Sequence, residues 1–158
     1  MIEAYTAEEL QKQFSERMTT DFTGRSLDIA KLLGQENSDC QIYPGELVTI
    51  FGPTGCNKTS LVQNLVLGYN AKEDRIDEDS QITTLYLSLE LSGWYMHCRN
   101  LQIVAGKEKK DVRENFEKVY EDNKHLVSHL VVQTISPTLE QIKEKIREMQ
   151  PKCVVVDY

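Results

Sequence analysis

No apolar run in the 158 residues approaches the roughly 20 needed to cross a bilayer, so no membrane span is expected. The first ten residues, MIEAYTAEEL, have neither the basic cluster nor the apolar core of a signal peptide. Cysteine is sparse and scattered. Cys40, Cys56, Cys98 and Cys153 form no CxxC pair, which removes a zinc ribbon or a dithiol motif and leaves free thiols in a reducing cytoplasm. Positive charge is also short, with 18 Lys and Arg against 25 Asp and Glu and a net charge of −7. That balance argues against a broad nucleic-acid footprint on these residues, though not against DNA binding by other segments of a larger protein. Internal repeats and low-complexity tracts are missing too. What is present is a hydrophobic content of 40%, enough for one domain with a real core.

The chain is organised around residues 46–64, ELVTIFGPTGCNKTSLVQN. A short β-branched apolar run, residues 47–51, follows the turn pair Pro44-Gly45 and reads as a buried strand. It breaks into Gly52, Pro53, Thr54, Gly55, Cys56, Asn57, Lys58, Thr59 and Ser60, after which Leu61, Val62, Leu65 and Val66 mark a helix. Strand, glycine-bearing loop, Lys-Thr and helix are the context of a phosphate-binding P-loop. A loop entering a helix points several free N–H groups and the positive end of the helix dipole at one place. Gly52 and Gly55 allow the backbone to curl closely, Lys58 brings a mobile charge to terminal phosphates, and the Thr59 hydroxyl suits Mg²⁺. Asn57 stands where GxxxxGK[ST] has glycine. Asparagine tolerates a left-handed backbone, so the change is mild where the loop needs that conformation; crowding of the nucleotide is the alternative.

Elsewhere, Thr6 and Glu9 are spaced as a capping box for a helix over residues 7–18, with Leu10 and Phe14 on one face. Residues 1–20 are a linker or docking helix, and residues 21–158 the domain proper. A second helix is predicted over residues 26–33, stopped by Gly34, and residues 35–40 are turn material. Residues 71–81, mostly acidic, read as a solvated loop. A second strand spans residues 82–89, and Ser92 opens a helix that Gly106 ends. Residues 107–122 form one amphipathic surface helix, whose KEKK and Arg113 are more simply a solvated face than a phosphate contact. A third strand covers residues 126–134; His125 and His129 would share a face only in a helix, so no metal site is read from them. Thr138 and Gln141 make a capping box for a helix that buries Leu139, Ile142, Ile146 and Met149, and Pro151 stops it. A fourth strand, residues 153–156, runs into Asp157. Alternating strands and helices argue a parallel sheet in an α/β fold.

In parallel sheets ligands lie at the carboxyl ends of strands, where Asp157 and the P-loop converge, and an aspartate there holds Mg²⁺ opposite Thr59. Many P-loop ATPases carry a glutamate directly after that aspartate. Here the position is Tyr158. Glu90, at the end of the second strand, is the alternative group to polarise water, unless it merely charges the start of the next helix.

GELVTIFGPTGCNKTSL, LYLSLELS and CVVVDY, in this order, resemble the ATPase core of the RecA-like hexameric replicative helicases of the DnaB type. Arg99 falls where that family often has an arginine, and the likeness covers roughly residues 20–158. It implies an incomplete RecA-like P-loop NTPase fold, a parallel sheet flanked by helices. It also implies ATP and Mg²⁺ as cofactors, with Lys58 on the phosphates, Thr59 and Asp157 on the metal, and Glu90 activating water. The partners it implies are single-stranded DNA and further copies in a hexameric ring. The family's sensor strand, DNA-binding loops and arginine finger follow the aspartate strand and have no counterpart here. Nor does its N-terminal primase-binding domain, unless the first helix is its remnant. The expectation is therefore a fragment or split protein that is inactive alone. In RecA-like sheets the strand after the aspartate strand lies between it and the P-loop strand, so these two should not pair and their ends should sit too far apart, or too loosely, to share one ion. Two alternatives remain: a RecA-like recombination or signalling ATPase of the KaiC or RadA kind, and a degenerate assembly module that does not hydrolyse ATP.

Overall fold

The computed structural model describes residues 6–20, 25–35, 40–134 and 138–158. Its first helix begins with the expected capping box. Glu9 N donates to the Thr6 hydroxyl at 3.2 Å, and Thr6 N donates to Glu9 Oε2 at 2.7 Å, which satisfies two donors at the start of α1 (Ala7–Thr19). Leu10 and Phe14 on this helix are exposed. The boundary expected after residue 20 abuts residues 21–24, outside the described residues.

Leu27–Asp28 (β1) pairs antiparallel with Gln41–Ile42 (β2), and the short α2 (Ile29–Leu32) lies between. The helix expected over residues 26–33 is thus shortened at its start. Asp28 explains where it begins, because its carboxylate accepts from Lys31 N at 2.9 Å and caps α2. Most of the turn expected over residues 35–40 falls on residues 36–39, outside the described residues. Beyond the loop, α3 (Lys58–Leu67) ends at Gly68 in the left-handed conformation. The acidic stretch is more ordered than a solvated loop. Tyr69–Asn70 (β3) and Arg75–Ile76 (β4) form a hairpin, and Asp77 caps a 3₁₀ turn at Glu78–Ser80 while pairing with Lys31.

The second strand is β5 (Thr84–Ser88), followed by α4 (Gly93–Ala105), which Gly106 closes. The single helix expected over residues 107–122 is two, α5 (Lys109–Glu114) and α6 (Phe116–Val127). The break falls at Asn115, whose side chain donates to Asp111 O at 3.3 Å and competes with the helical ladder. Because α6 takes up residues 126 and 127, the third strand starts later, as β6 (Leu130–Gln133). The Thr138–Gln141 capping box is present on α7 (Leu139–Met149), but that helix buries less than expected. Leu139 is exposed, and Ile142, Ile146 and Met149 are only partly covered. The last strand is β7 (Cys153–Asp157).

β5, β6 and β7 form a parallel sheet in the order β6-β5-β7. All five residues of the central β5 are buried, which is why Leu85, Tyr86 and Leu87 follow one another without alternation. One apolar cluster packs Tyr86 with Leu27, Leu65, Val66, Ile82 and Met96. A second joins Leu67 to Cys98, Leu101, Val112, Val119 and Val127. Each fully buried leucine or valine stabilises the fold by about 1.5–3 kcal/mol.

The strand predicted over residues 47–51 does not form: among the described residues no strand pairs with it, and Leu47 and Phe51 are 94% and 90% exposed. A ladder needs a neighbour. As the resemblance implied, β7 does not pair with this segment. An apolar groove of about 170 Å³ separates them, walled by Val48 and Ile50 on one side and Val155 and Val156 on the other.

The far end of α3 is closed by side chains. Gln81 Nε2 donates to Leu67 O and to Leu126 O, both at 3.0 Å, and His129 Nε2 donates to Val66 O at 2.8 Å. A Cβ on Gly68 would lie 2.7 Å from Asp77 O in a left-handed backbone. Gly68→Ala should therefore cost about 1–3 kcal/mol, read as a lower urea midpoint at unchanged slope. His129 yields a second expectation. Its Nδ1 is buried and has no partner among the described residues. Burial holds its pKa below the ordinary value, outweighing the bond to Val66 that raises it. The unfolded chain then takes up this proton first as pH falls, so stability is full above the ordinary histidine range near about 6.5 and is lost below it. Thermal melts between about pH 7.5 and 5.5 should show this loss, and His129→Gln should flatten it. Equal slopes in the two proteins would assign the loss to other groups.

Candidate nucleotide site

The loop before α3 is shaped by two left-handed residues, Gly55 at φ 84° and Asn57 at φ 62°. Asn57 is the N-cap of α3 and makes no side-chain capping bond, so its backbone conformation is what the position uses. A Cβ at Gly52 would lie 2.9 Å from Cys56 Sγ, so a larger residue there would make that side chain turn away. Lys58 Nζ curls back over the loop and donates to Gly52 O at 2.9 Å and Pro53 O at 3.0 Å.

Thr59, one residue into α3, faces the end of β7. Its hydroxyl donates to Asp157 Oδ1 at 3.2 Å. Against the expectation that the strand ends sit too far apart, or too loosely, to share an ion, the correction concerns distance, since these two groups lie within hydrogen-bond reach. The correction has a physical source: Asp157 is placed by β5, its partner on the other side, and not by residues 47–51. The Tyr86 hydroxyl, from the middle of β5, donates to Asp157 Oδ2 at 2.9 Å. Burial, and then the neighbouring Asp157 charge, pushes the Tyr86 phenol far above its ordinary pKa, so it remains a donor.

β5 also delivers Glu90. Ser88 is level with Asp157 across the ladder, and the chain then turns at residues 89–91. Ser88 builds that turn, because its hydroxyl donates to Leu91 O at 3.0 Å and accepts from Leu91 N at 3.2 Å. Leu89 and Glu90 are left exposed at the tip. A polar cleft of about 230 Å³ results, lined by Thr54, Gly55, Asn57, Lys58, Thr59, Ser60, Glu90, Leu91, Arg99 and Asp157. Gly52, Pro53 and Cys56 do not line it; the first two face Lys58 through their carbonyls.

Arg99 was noted in the sequence by position alone, and its contact was not foreseen. Its guanidinium donates to Ser60 Oγ and lies over the Tyr95 ring, 5.9 Å from the centroid. No carboxylate forms an ion pair with it among the described residues. A cation held at the positive end of α3 is unfavourable on its own and becomes favourable when an anion occupies the cleft. Behind this contact Gln63 Nε2 donates to Asn100 Oδ1 at 2.7 Å, so α3 and α4 meet through a buried polar seam. Tyr86 carried no signal of its own in the sequence; Ser88 belongs to the serine-leucine-glutamate motif, but its hold on the turn was not foreseen.

The donor set fits Mg²⁺. A hydroxyl and one carboxylate, both oxygen and adjacent, suit an ion that takes its other ligands from phosphates and water. Among the described residues no cluster of three or more His, Cys, Asp or Glu side chains offers a rival metal site.

A family model described as ABC transporter matches residues 35–155. None of the curated proteins and none of the solved structures matches the chain. P-loop ATPase domains of this family bind ATP with Mg²⁺, and those are the cofactors of this chain. With its loop, parallel sheet and matched residues taken together, the chain belongs to the ABC transporter family of P-loop ATP hydrolases.

Proposed function

We propose that this chain is the ATP-binding part of a cytoplasmic DnaB-like replicative DNA helicase, a hexameric ring that moves along single-stranded DNA. The observation that supports this most is the position of Glu90. Tyr158 follows Asp157, so no carboxylate stands next to it in the chain, whereas Glu90 lines the same cleft from the adjacent strand β5. That matches the serine-leucine-glutamate motif on which the helicase resemblance rests.

In this reading the loop N–H groups and Lys58 bind the β- and γ-phosphates, Lys58 exchanging its two carbonyl partners for phosphate oxygens. Thr59 and Asp157 hold Mg²⁺, which when bound neutralises charge on the phosphates. Glu90, on a turn clamped by Ser88, orients a water and takes its proton. Arg99 adds a second positive charge to the cleft. Contacts to DNA and the charge supplied by a neighbouring subunit come from outside the cleft described here.

The family description favours a second reading, in which the same ATP cycle drives transport. Among the described residues no helix is long and apolar enough to cross a membrane.

Lys58→Ala should lower ATP affinity about tenfold or more, because it removes the loop's mobile charge from the phosphate site. Unchanged affinity by calorimetry would remove the site. Glu90→Gln should keep ATP binding within about twofold and abolish most turnover in the assembled protein, since shape is kept and the base is lost. Single-stranded DNA should raise wild-type turnover. Turnover indifferent to DNA would favour the transport reading, and turnover surviving in Glu90→Gln would place the base elsewhere.

A further inference from the structure

Glu90 reaches the cleft without a side-chain tether. Its carboxylate makes no hydrogen bond or ion pair among the described residues, whereas Thr59 bonds to Asp157, Lys58 to two loop carbonyls and Arg99 to Ser60. Where that carboxylate stands is therefore set by the main chain on either side of it. On one side, Leu89 N donates to Asp157 O at 2.8 Å. On the other, Leu91 packs its side chain against the cluster around Tyr86, and both of its peptide groups go to one atom. Ser88 Oγ donates to Leu91 O at 3.0 Å and accepts from Leu91 N at 3.2 Å. Ser88 is 0% exposed, so no bulk water stands ready to replace either bond. Where a glutamate directly follows the strand aspartate, the covalent chain fixes the distance between the two carboxylates. Here Tyr158 takes that place, and the connection runs across the sheet instead, through the Leu89–Asp157 bond and the turn that Ser88 closes.

We propose that Ser88 is a positioning residue for hydrolysis, whose hydroxyl keeps Glu90 in register with Asp157 as chain adjacency would. The inference rests on the reading of Glu90 as the group that activates water. An alanine at residue 88 fits the same buried space but releases the N–H and C=O of Leu91, leaving the turn held through Leu89 and the Leu91 side chain. Misplacing a reacting group by about 1 Å costs on the order of 10²-fold in rate. The phosphates are bound by the loop and Lys58, which touch neither Ser88 nor Leu91, so nucleotide affinity is spared. The same hydroxyl also caps the end of β5, and a purely structural role must be separated from this one.

The test is Ser88→Ala in the full assembled protein, with Mg-ATP turnover and calorimetric ATP affinity measured side by side. Turnover should fall about 10–100-fold while affinity stays within about twofold. Ser88→Thr returns the hydroxyl and should restore turnover to within about threefold. In a Glu90→Gln background Ser88→Ala should slow the remaining turnover no further, because the group it places is already gone. Unchanged turnover, turnover and affinity falling together, a threonine variant as slow as the alanine one, or an additive loss in the Glu90→Gln background would each overturn the proposal. Each would leave Ser88 as a structural cap of β5. If Ser88→Ala does not fold, Ser88→Cys decides, since it keeps the volume with a weaker donor. It should show the same split at smaller size, and turnover equal to that of the unsubstituted protein would overturn the proposal. Absence of turnover in the unsubstituted protein, or turnover surviving in Glu90→Gln, defeats the reading of Glu90. Loss of turnover in Glu90→Gln with none in Ser88→Ala defeats only the role of Ser88.

Discussion

The parallel pairing of β5 with β7 is the constraint on which the rest of the site depends. Its register sets Ser88 level with Asp157, so the two strands deliver their polar ends to the same edge of the sheet. Slip that register by one residue and every side chain of β7 changes face, taking Asp157 away from Thr59 and the Tyr86 hydroxyl away from its acceptor. β5 tolerates no such slip, because all five of its residues are buried. The chemistry at the rim is thus fixed by hydrophobic packing in the middle of the sheet.

A second layer of polar contacts carries that order from the sheet to the helices. Ser60 and Gln63 lie on one face of α3, and Arg99 and Asn100 meet them from α4. α3 begins with the phosphate loop, and α4 follows the turn that bears Glu90, so the seam joins the two halves of the cleft from behind. Buried polar pairs of this kind specify one arrangement more sharply than apolar contact does, because a shifted helix would leave amides unpartnered. Gln63 Oε1 already lacks a donor among the described residues, so this seam is less than fully satisfied.

Much of this was legible because it is local. The capping boxes at Thr6 and Thr138, the helix stop at Gly106, the left-handed Asn57 and the alternation of strands with helices each depend on residues within a few positions of one another. What was not legible depends on distant partners. Residues 47–51 have the composition of a strand, but a strand is a pairing, and the run itself does not say with what. Asn115 breaks a helix whose amphipathic pattern runs straight through it. The Tyr86 and Arg99 contacts are invisible for the same reason, since each acquires its meaning only from a residue brought near by the fold.

The unpaired segment has a colloidal consequence. Residues 47–51, LVTIF, are an uncharged β-prone run that pairs with no strand among the described residues, and Val154 and Val156 are exposed on the edge strand across the groove. Open edges are templates for strand addition, and here charge blunts them at their ends, with Glu46 before the run and Lys152 and Asp157 bounding the other strand. The surface charge of −7 repels other copies at long range, but salt screens it to about 8 Å under physiological conditions. In concentrated solution, association along this seam would be directional, strand against strand.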